Sequence, residues 1–211
     1  MADWVAISSL ATAGGTLALA ATTYASVRSA NRAARAAELS LLAGMRPLLV
    51  ESVEGDATLR VNFYDVAGIA VPGGRAAVEI IDDNLYLVAS LRNVGTGIGV
   101  LHGGRVYPER RLSRPDHAPL EEFRSPRRDL YIPPAKIGFW QIAYRRDDPE
   151  RDAMLAAIEE GHLSFEILYG DYEGGQRVIS RFAAQRVDDG AWHLSTIRHW
   201  QLDRSEPRER D

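Results

Sequence analysis

Residues 76–93, AAVEIIDDNLYLVASLRN, hold two apolar segments separated by the polar triplet at 82–84. Residues 76–81 and 85–93 are rich in the aliphatic and aromatic types that favour strands. Asp and Asn at the junction favour a tight turn, since their side chains bond to nearby backbone. The stretch therefore predicts a β-hairpin, and it places the chain in a β-rich fold class.

The same signals recur along the chain after Pro47. One helix interrupts them, with Asp148 as N-cap, Pro149 at its first position and Gly161 at its end. Many short strands and one short inserted helix predict a mainly β domain, an antiparallel β-sandwich, over residues 47–202. The other predicted strands are 49–53, 58–64, 98–101, 104–107, 130–132, 138–145, 163–169, 177–186 and 192–200.

Composition narrows the function classes. The chain has 211 residues, no cysteine and a net charge of −4. Disulfides and thiolate metal sites are therefore excluded, and the charge gives no reason to expect nucleic acid as a partner. Lys136 is the sole lysine among 25 basic residues, which indicates a GC-rich bacterial genome.

Residues 4–27 carry no charge and would extend about 36 Å as a helix, enough for a hydrocarbon core of roughly 30 Å. Trp4 and Tyr24 lie near the two ends, where aromatic belts form. The stretch predicts a transmembrane and juxtamembrane helix over residues 1–46. Two alternatives stay open: a buried or self-associating helix, and a signal peptide cleaved after the triplet at 18–20.

Basic residues follow this stretch and none precedes it. Arg28, Arg32 and Arg35 are spaced i, i+4, i+7 and so form one stripe. The positive-inside rule then predicts a single-pass protein of the bacterial inner membrane, with its N-terminus outside and its domain in the cytoplasm. The stripe would contact lipid headgroups or simply be solvated.

Small residues at i and i+4 pair Ala11 with Gly15 and Gly14 with Ala18, a spacing that lets helices approach closely. Homo-oligomers through this Ala/Gly-rich helix are therefore one expected interaction. At the other end, residues 203–211 are charged at nearly every position and predict a disordered tail.

Two further segments carry a resemblance. Residues 91–99, LRNVGTGIG, resemble an L-x-N-x-G-x-G segment of actinobacterial-type, membrane-anchored β-sandwich proteins. Arg46-Pro47 is similar to the dipeptide that ends their juxtamembrane helix, and residues 167–175 resemble their late hairpin. Gly99 stands where those proteins usually have alanine. The resemblance implies the architecture and brings no activity with it.

The glycines of this segment do not match a phosphate-binding loop, because Val100 stands at the last glycine position and no helix pattern follows. Gly95 and Gly97 instead predict a bend or bulge with positive φ. The side chain of Asn93 is expected to serve the turn.

No catalytic, cofactor or metal constellation emerges from the remaining polar residues. The histidines are not spaced as ligands, and the paired acids fall in turns or on a helix surface. Aromatic residues that recur in the second half of the chain form one candidate for a ligand or partner surface. Its members would be Trp140, Tyr169, Trp192, His199 and Trp200.

The resulting expectation is a membrane-tethered, cytoplasm-facing binding or scaffold module whose partners are the bilayer and another protein. The first alternative is an enzyme that uses some of His102, Asp171 and His199 at one end of the sandwich. The second is an accessory subunit of a larger membrane assembly. An arginine cluster is expected to be a solvated loop or a contact for headgroups or an acidic protein: Arg105, Arg110, Arg111, Arg114, Arg124, Arg127 and Arg128.

Overall fold

The computed structural model describes residues 3–203, which divide into two compact units. The first ends at Gly44 and the second begins at Met45, close to the predicted boundary at residue 46. The predicted tail from residue 204 onward lies outside the described residues. Asp203 does belong to the second unit, because its carboxylate accepts bonds from the backbone N–H and guanidinium of Arg177.

The first unit is the helix α1, Trp4–Gly44. Its abundant alanine favours helix, and Thr12 and Thr16 return their hydroxyls to carbonyls one turn earlier. The predicted stop at Gly44 is confirmed, and Pro47 follows it. None of the helices described between residues 3 and 203 combines sufficient length with sufficient apolarity for a bilayer crossing.

The second unit contains eleven strands, a 3₁₀ turn at Leu120–Glu122 and the short helix α2, Arg151–Glu159. The strands are β1 Leu49–Glu51, β2 Leu59–Val61, β3 Ile69–Val71, β4 Arg75–Ile81, β5 Asn84–Asn93, β6 Gly99–Tyr107, β7 Leu130–Ile132, β8 Ile137–Tyr144, β9 His162–Gly170, β10 Val178–Arg186 and β11 Trp192–Gln201.

Nine strands pair antiparallel in the order β1-β5-β4-β11-β10-β9-β6-β7, with β8 on the other side of β5. Strands β2 and β3 form a separate two-stranded sheet. The mainly β, antiparallel class is confirmed. The two separate layers of a sandwich are not confirmed, because hydrogen bonds connect all nine strands into one sheet. The connection between β4 and β11 within this sheet is short, since these strands share two residue pairs.

The sheet curls over its own core. Trp140 of β8 stacks on Phe165 of β9 with ring centroids 4.9 Å apart, although these strands are not neighbours in the sheet. Gly104 of β6 makes room for this indole, since a Cβ there would lie 2.3 Å from the ring. The β2–β3 hairpin covers a second, smaller apolar cluster on β4 and β5.

The β4–β5 hairpin confirms the hairpin predicted over residues 76–93. Ile81 pairs with Asn84, and the two intervening residues, Asp82 and Asp83, both adopt positive φ. This is the geometry of a two-residue turn whose twist matches that of the strands. Aspartate tolerates it because a short polar side chain is comparatively well accommodated in the left-handed region.

The structure differs from the prediction at three elements. Strand β6 is continuous where two short strands were predicted, with a register shift between Leu101 and Gly103. Strand β3 was not predicted. Helix α2 begins after Glu150 because Asp148 accepts the Glu150 N–H through its side chain and the Arg151 N–H through its carbonyl, closing a turn before the helix starts.

The prediction for the glycine segment, residues 95–99, was wrong in one respect. Neither Gly95 nor Gly97 has the predicted positive φ. They are needed for close approach instead, because a Cβ on Gly97 would lie 1.6 Å from the Met45 carbonyl oxygen. One on Gly95 would lie 2.3 Å from that of Arg46. The chain entering β1 thus runs directly against this loop.

Asn93 fastens that junction and has no exposed surface. Its Oδ1 accepts the N–H groups of Leu48, at 3.2 Å, and Gly95, at 2.9 Å. Its Nδ2 donates to the carbonyls of Gly97, at 2.7 Å, and Ile132, at 2.8 Å. The predicted turn role is confirmed, and the same amide also joins Leu48, the residue before β1, to Ile132 of β7.

A buried ion pair holds the long segment 108–128 against the sheet. Arg181 of β10 and Glu166 of β9 are register partners, and their side chains have almost no exposure. Arg181 also donates to the carbonyls of Arg111 and Arg114, while Glu166 accepts the Ala118 N–H at 2.9 Å. The segment 108–128 is therefore anchored from inside the domain.

Candidate functional site

A cleft of about 650 Å³ opens beside β8 in the second unit. On one side lie β8 and the end of β2, and on the other lie β6 and the segment 124–130. Its floor is apolar, with Leu101, Leu130, Trp140 and Ile142. The rest of the lining is Asn62, Phe63, Tyr64, Gly103, Arg124, Ser125, Pro126, Arg127, Arg128, Gln141, Ala143, Arg145 and Asp148.

Two of the four lining arginines are held by carboxylates. Arg124 donates to Asp148 at 2.5 and 3.0 Å and to Glu150 at 2.6 Å. Arg145 donates to Asp65 at 3.0 Å. These ion pairs fix the ends of the segments that border the cleft. Because the carboxylates neutralise Arg124 and Arg145, these two guanidinium groups offer little charge to a ligand.

The other two arginines keep their charge available. Arg127 is exposed, and Arg128 donates only to neutral oxygens, the Asn62 carbonyl and the Gln141 amide, both at 3.3 Å. Within residues 3–203, neither Arg127 nor Arg128 forms an ion pair. The cleft thus presents two adjacent, uncompensated guanidinium groups above an apolar floor.

The chemistry of this lining favours binding an anion. The carboxylate in the cleft belongs to Asp148, whose pKa is held below its usual value mainly by the hydrogen bond from Arg124. It stays ionised and paired at neutral pH, which does not suit a general acid or base. Over the described part of the chain, no group of three or more His, Asp or Glu residues is placed to hold a metal ion.

The predicted aromatic surface does not form one face. Trp140 lies in the core with its ring at the cleft floor. Trp200 is also buried and donates its indole N–H to the Pro115 carbonyl at 3.0 Å. Trp192, on β11, packs in the main core.

Tyr169 and His199 are brought together by Ser180. The Tyr169 hydroxyl lies 2.8 Å from the Ser180 hydroxyl, which lies 2.6 Å from His199 Nδ1. Ser180 has no exposed surface, so its hydroxyl is closed to a substrate. The Tyr169 hydroxyl also accepts the Leu49 N–H at 3.1 Å, so the chain of polar groups ties β1 to β9 and β10.

Two of the residues that the enzyme alternative would use, Asp171 and His102, lie in the following surroundings. Asp171 is buried and accepts the Gly175 N–H at 2.9 Å, closing the turn after β9. Burial, and then the charge of Arg177, lowers the pKa of His102. The neutral form of the His102 imidazole is therefore favoured.

The arginine stripe of α1 is preserved. Arg28, Arg32 and Arg35 are exposed and share one face of the helix with Tyr24 and Asn31. The other predicted arginine cluster is divided: Arg105 pairs with Glu150 and Arg111 lies over the Tyr107 ring, whereas Arg127 and Arg128 line the cleft.

Sequence reasoning singled out Trp140, Arg127 and Arg128 separately and did not join them. Asn62, Gln141 and Arg145 were missed, because no local pattern marks residues that converge only through the curl of the sheet. Compared with protein-family models, with curated proteins and with solved structures, the chain shows no match.

Proposed function

We propose that this protein is a membrane-tethered binding module, without catalysis of its own, whose cleft beside β8 holds an acidic protein partner. The observation that carries the proposal is the pair of arginines, Arg127 and Arg128, that face the cleft without a carboxylate. Guanidinium groups recognise carboxylates in a bidentate manner and remain charged at all physiological pH values.

The shape of the cleft supports the same function. Its volume falls within the range of about 300–1,000 Å³ that ligand sites occupy. An apolar floor with a few convergent polar groups gives a partner both buried area and orientation. In this proposal the two halves of the curled sheet pack face to face, as the two sheets of a sandwich do. The stack of Trp140 on Phe165 between them keeps the floor of the cleft rigid.

The tether is proposed on the sequence of α1. Its uncharged N-terminal half, followed by the exposed stripe Arg28, Arg32 and Arg35, supports insertion with the domain on the cytoplasmic side of the bacterial inner membrane. The native protein should remain in the membrane pellet after carbonate washing. Recovery in the wash would refute the tether and leave the cleft proposal standing.

Binding is tested by crosslinking in cells of the source type, with the full chain as bait. Arg127→Glu and Arg128→Glu together should abolish the crosslinked partner. Arg110→Glu and Arg146→Glu together make the matched control, because both residues are exposed and lie outside the cleft. Equal crosslinking by the two double variants would refute the proposal.

A further inference from the structure

The cleft follows the edge of β8 and not one of its faces. Four consecutive residues of this strand, 140–143, line it. Successive side chains of a strand point to opposite faces, so four in a row can border one cavity only if the cavity runs along the backbone edge. Within residues 3–203, β8 pairs with β5 and with no other strand.

The register identifies the backbone groups on that open edge. Because a two-residue turn closes on a hydrogen-bonded pair, the even-numbered residues of β5 bond to β4 and the odd-numbered residues bond to β8. Odd-numbered Leu87 faces Ile142, so the even-numbered residues of β8 bond to β5. The N–H and C=O groups of Gln141 and Ala143 therefore point into the cleft.

We infer that the cleft takes one extended acidic segment of the partner, which adds to the sheet as a strand beside β8. This rests on the proposed function and specifies its ligand. An unpaired strand edge is a template for strand addition, in which main-chain hydrogen bonds supply affinity and alternate side chains supply specificity.

Charge and shape define the sequence of that segment. A bound strand would direct every second side chain to the apolar floor, where Trp140 and Ile142 lie. The intervening side chains would face the rim, where Arg127 and Arg128 carry unpaired charge. The ligand class is therefore an extended peptide that alternates aliphatic with acidic residues.

The test uses a nine-residue peptide of alternating valine and glutamate, acetylated and amidated at its ends, with the full chain in mild detergent. The matched ligand is the same peptide N-methylated at alternate residues along one edge, in both registers. N-methylation removes the donors of one edge while keeping charge and composition. We expect saturable binding of the plain peptide, and at least about tenfold weaker binding of the form methylated on the edge that pairs with β8, as the loss of two ordinary backbone hydrogen bonds implies. The form methylated on the opposite edge keeps these donors and should bind like the plain peptide.

Amide hydrogen exchange distinguishes strand addition from charge attraction, because charge attraction alone would not protect the backbone amides of β8. The Gln141 and Ala143 amides should become protected when the plain peptide binds, while the Ile142 amide is protected already by β5. Ala143→Pro removes one open-edge donor without removing a bond to β5 and should also weaken binding by about tenfold.

The outcomes separate this inference from the function beneath it. Equal binding of the plain peptide and both methylated forms, without new amide protection but lost in the Arg127→Glu, Arg128→Glu variant, would overturn strand addition and leave an acidic partner in place. No binding of the plain peptide up to millimolar concentration would also overturn it. The crosslinking result then decides the proposed function by itself.

Discussion

Replacing Asn93 by alanine should cost the domain a large part of its stability. The side chain is fully buried and makes four hydrogen bonds, two accepted by Oδ1 and two donated by Nδ2. A neutral hydrogen bond contributes about 1 kcal/mol net, so we expect a loss of about 4 kcal/mol. Domains of this size are stable by only about 5–15 kcal/mol.

The measurement is urea unfolding of the full chain in mild detergent, followed by tryptophan fluorescence. With a slope of about 2 kcal/mol per molar urea, the midpoint should fall by about 2 M. Asn62→Ala is the matched control, since its side chain accepts one exposed hydrogen bond, from Gly68. A loss for Asn93→Ala no larger than that of the control would refute the reasoning.

Asn93→Asp adds a test of the direction of these bonds. The second carboxylate oxygen would meet the carbonyls of Gly97 and Ile132, which need a donor. The neutral form is therefore favoured in the fold, so the introduced group has a raised pKa. The variant should lose stability as pH rises from about 4 through that raised pKa. A variant as stable at pH 8 as at pH 5 would contradict this assignment.

Three further predictions concern other parts of the domain. Gly97→Ala should lower the melting temperature by several degrees through its backbone clash, whereas Gly55→Ala, with open space around it, should not; equal melting would contradict the close approach. Glu166→Gln leaves a buried arginine uncompensated, so unfolding should be easier by about 3–5 kcal/mol and proteolysis within 108–118 faster; unchanged cleavage would refute the anchoring. The pKa of Asp65 is lowered to about 2, mainly by its hydrogen bond from Arg145, so the stability that Asp65 contributes is present above about pH 4 and lost as pH falls towards 2. Asp65→Asn should therefore reduce the loss of stability between about pH 4 and pH 2, and an unchanged loss would exclude this pair as its source.

Local sequence patterns were sufficient for the elements whose cause is local. The hairpin at Asp82 and Asp83 follows from turn chemistry, and the end of α1 follows from Gly44 and Pro47. Strand β3 was not predicted, since Gly68 and Pro72 lie on either side of it and favour a loop. Helix α2 begins later than its capping signal suggested, since the Asp148 side chain closes a turn with Glu150 first.

The sequence by itself determined the mainly β class, the antiparallel hairpins, the N-terminal helix and the turn role of Asn93. Only the tertiary structure decided why Gly97 must be glycine, since the reason is the carbonyl of Met45, far away in the chain. It also decided that Arg128 meets Asn62 and Gln141 around a cleft. Periodicity reports which face of an element is apolar, but the open edge of β8 depends on which strands pair, and long-range pairing leaves no local pattern.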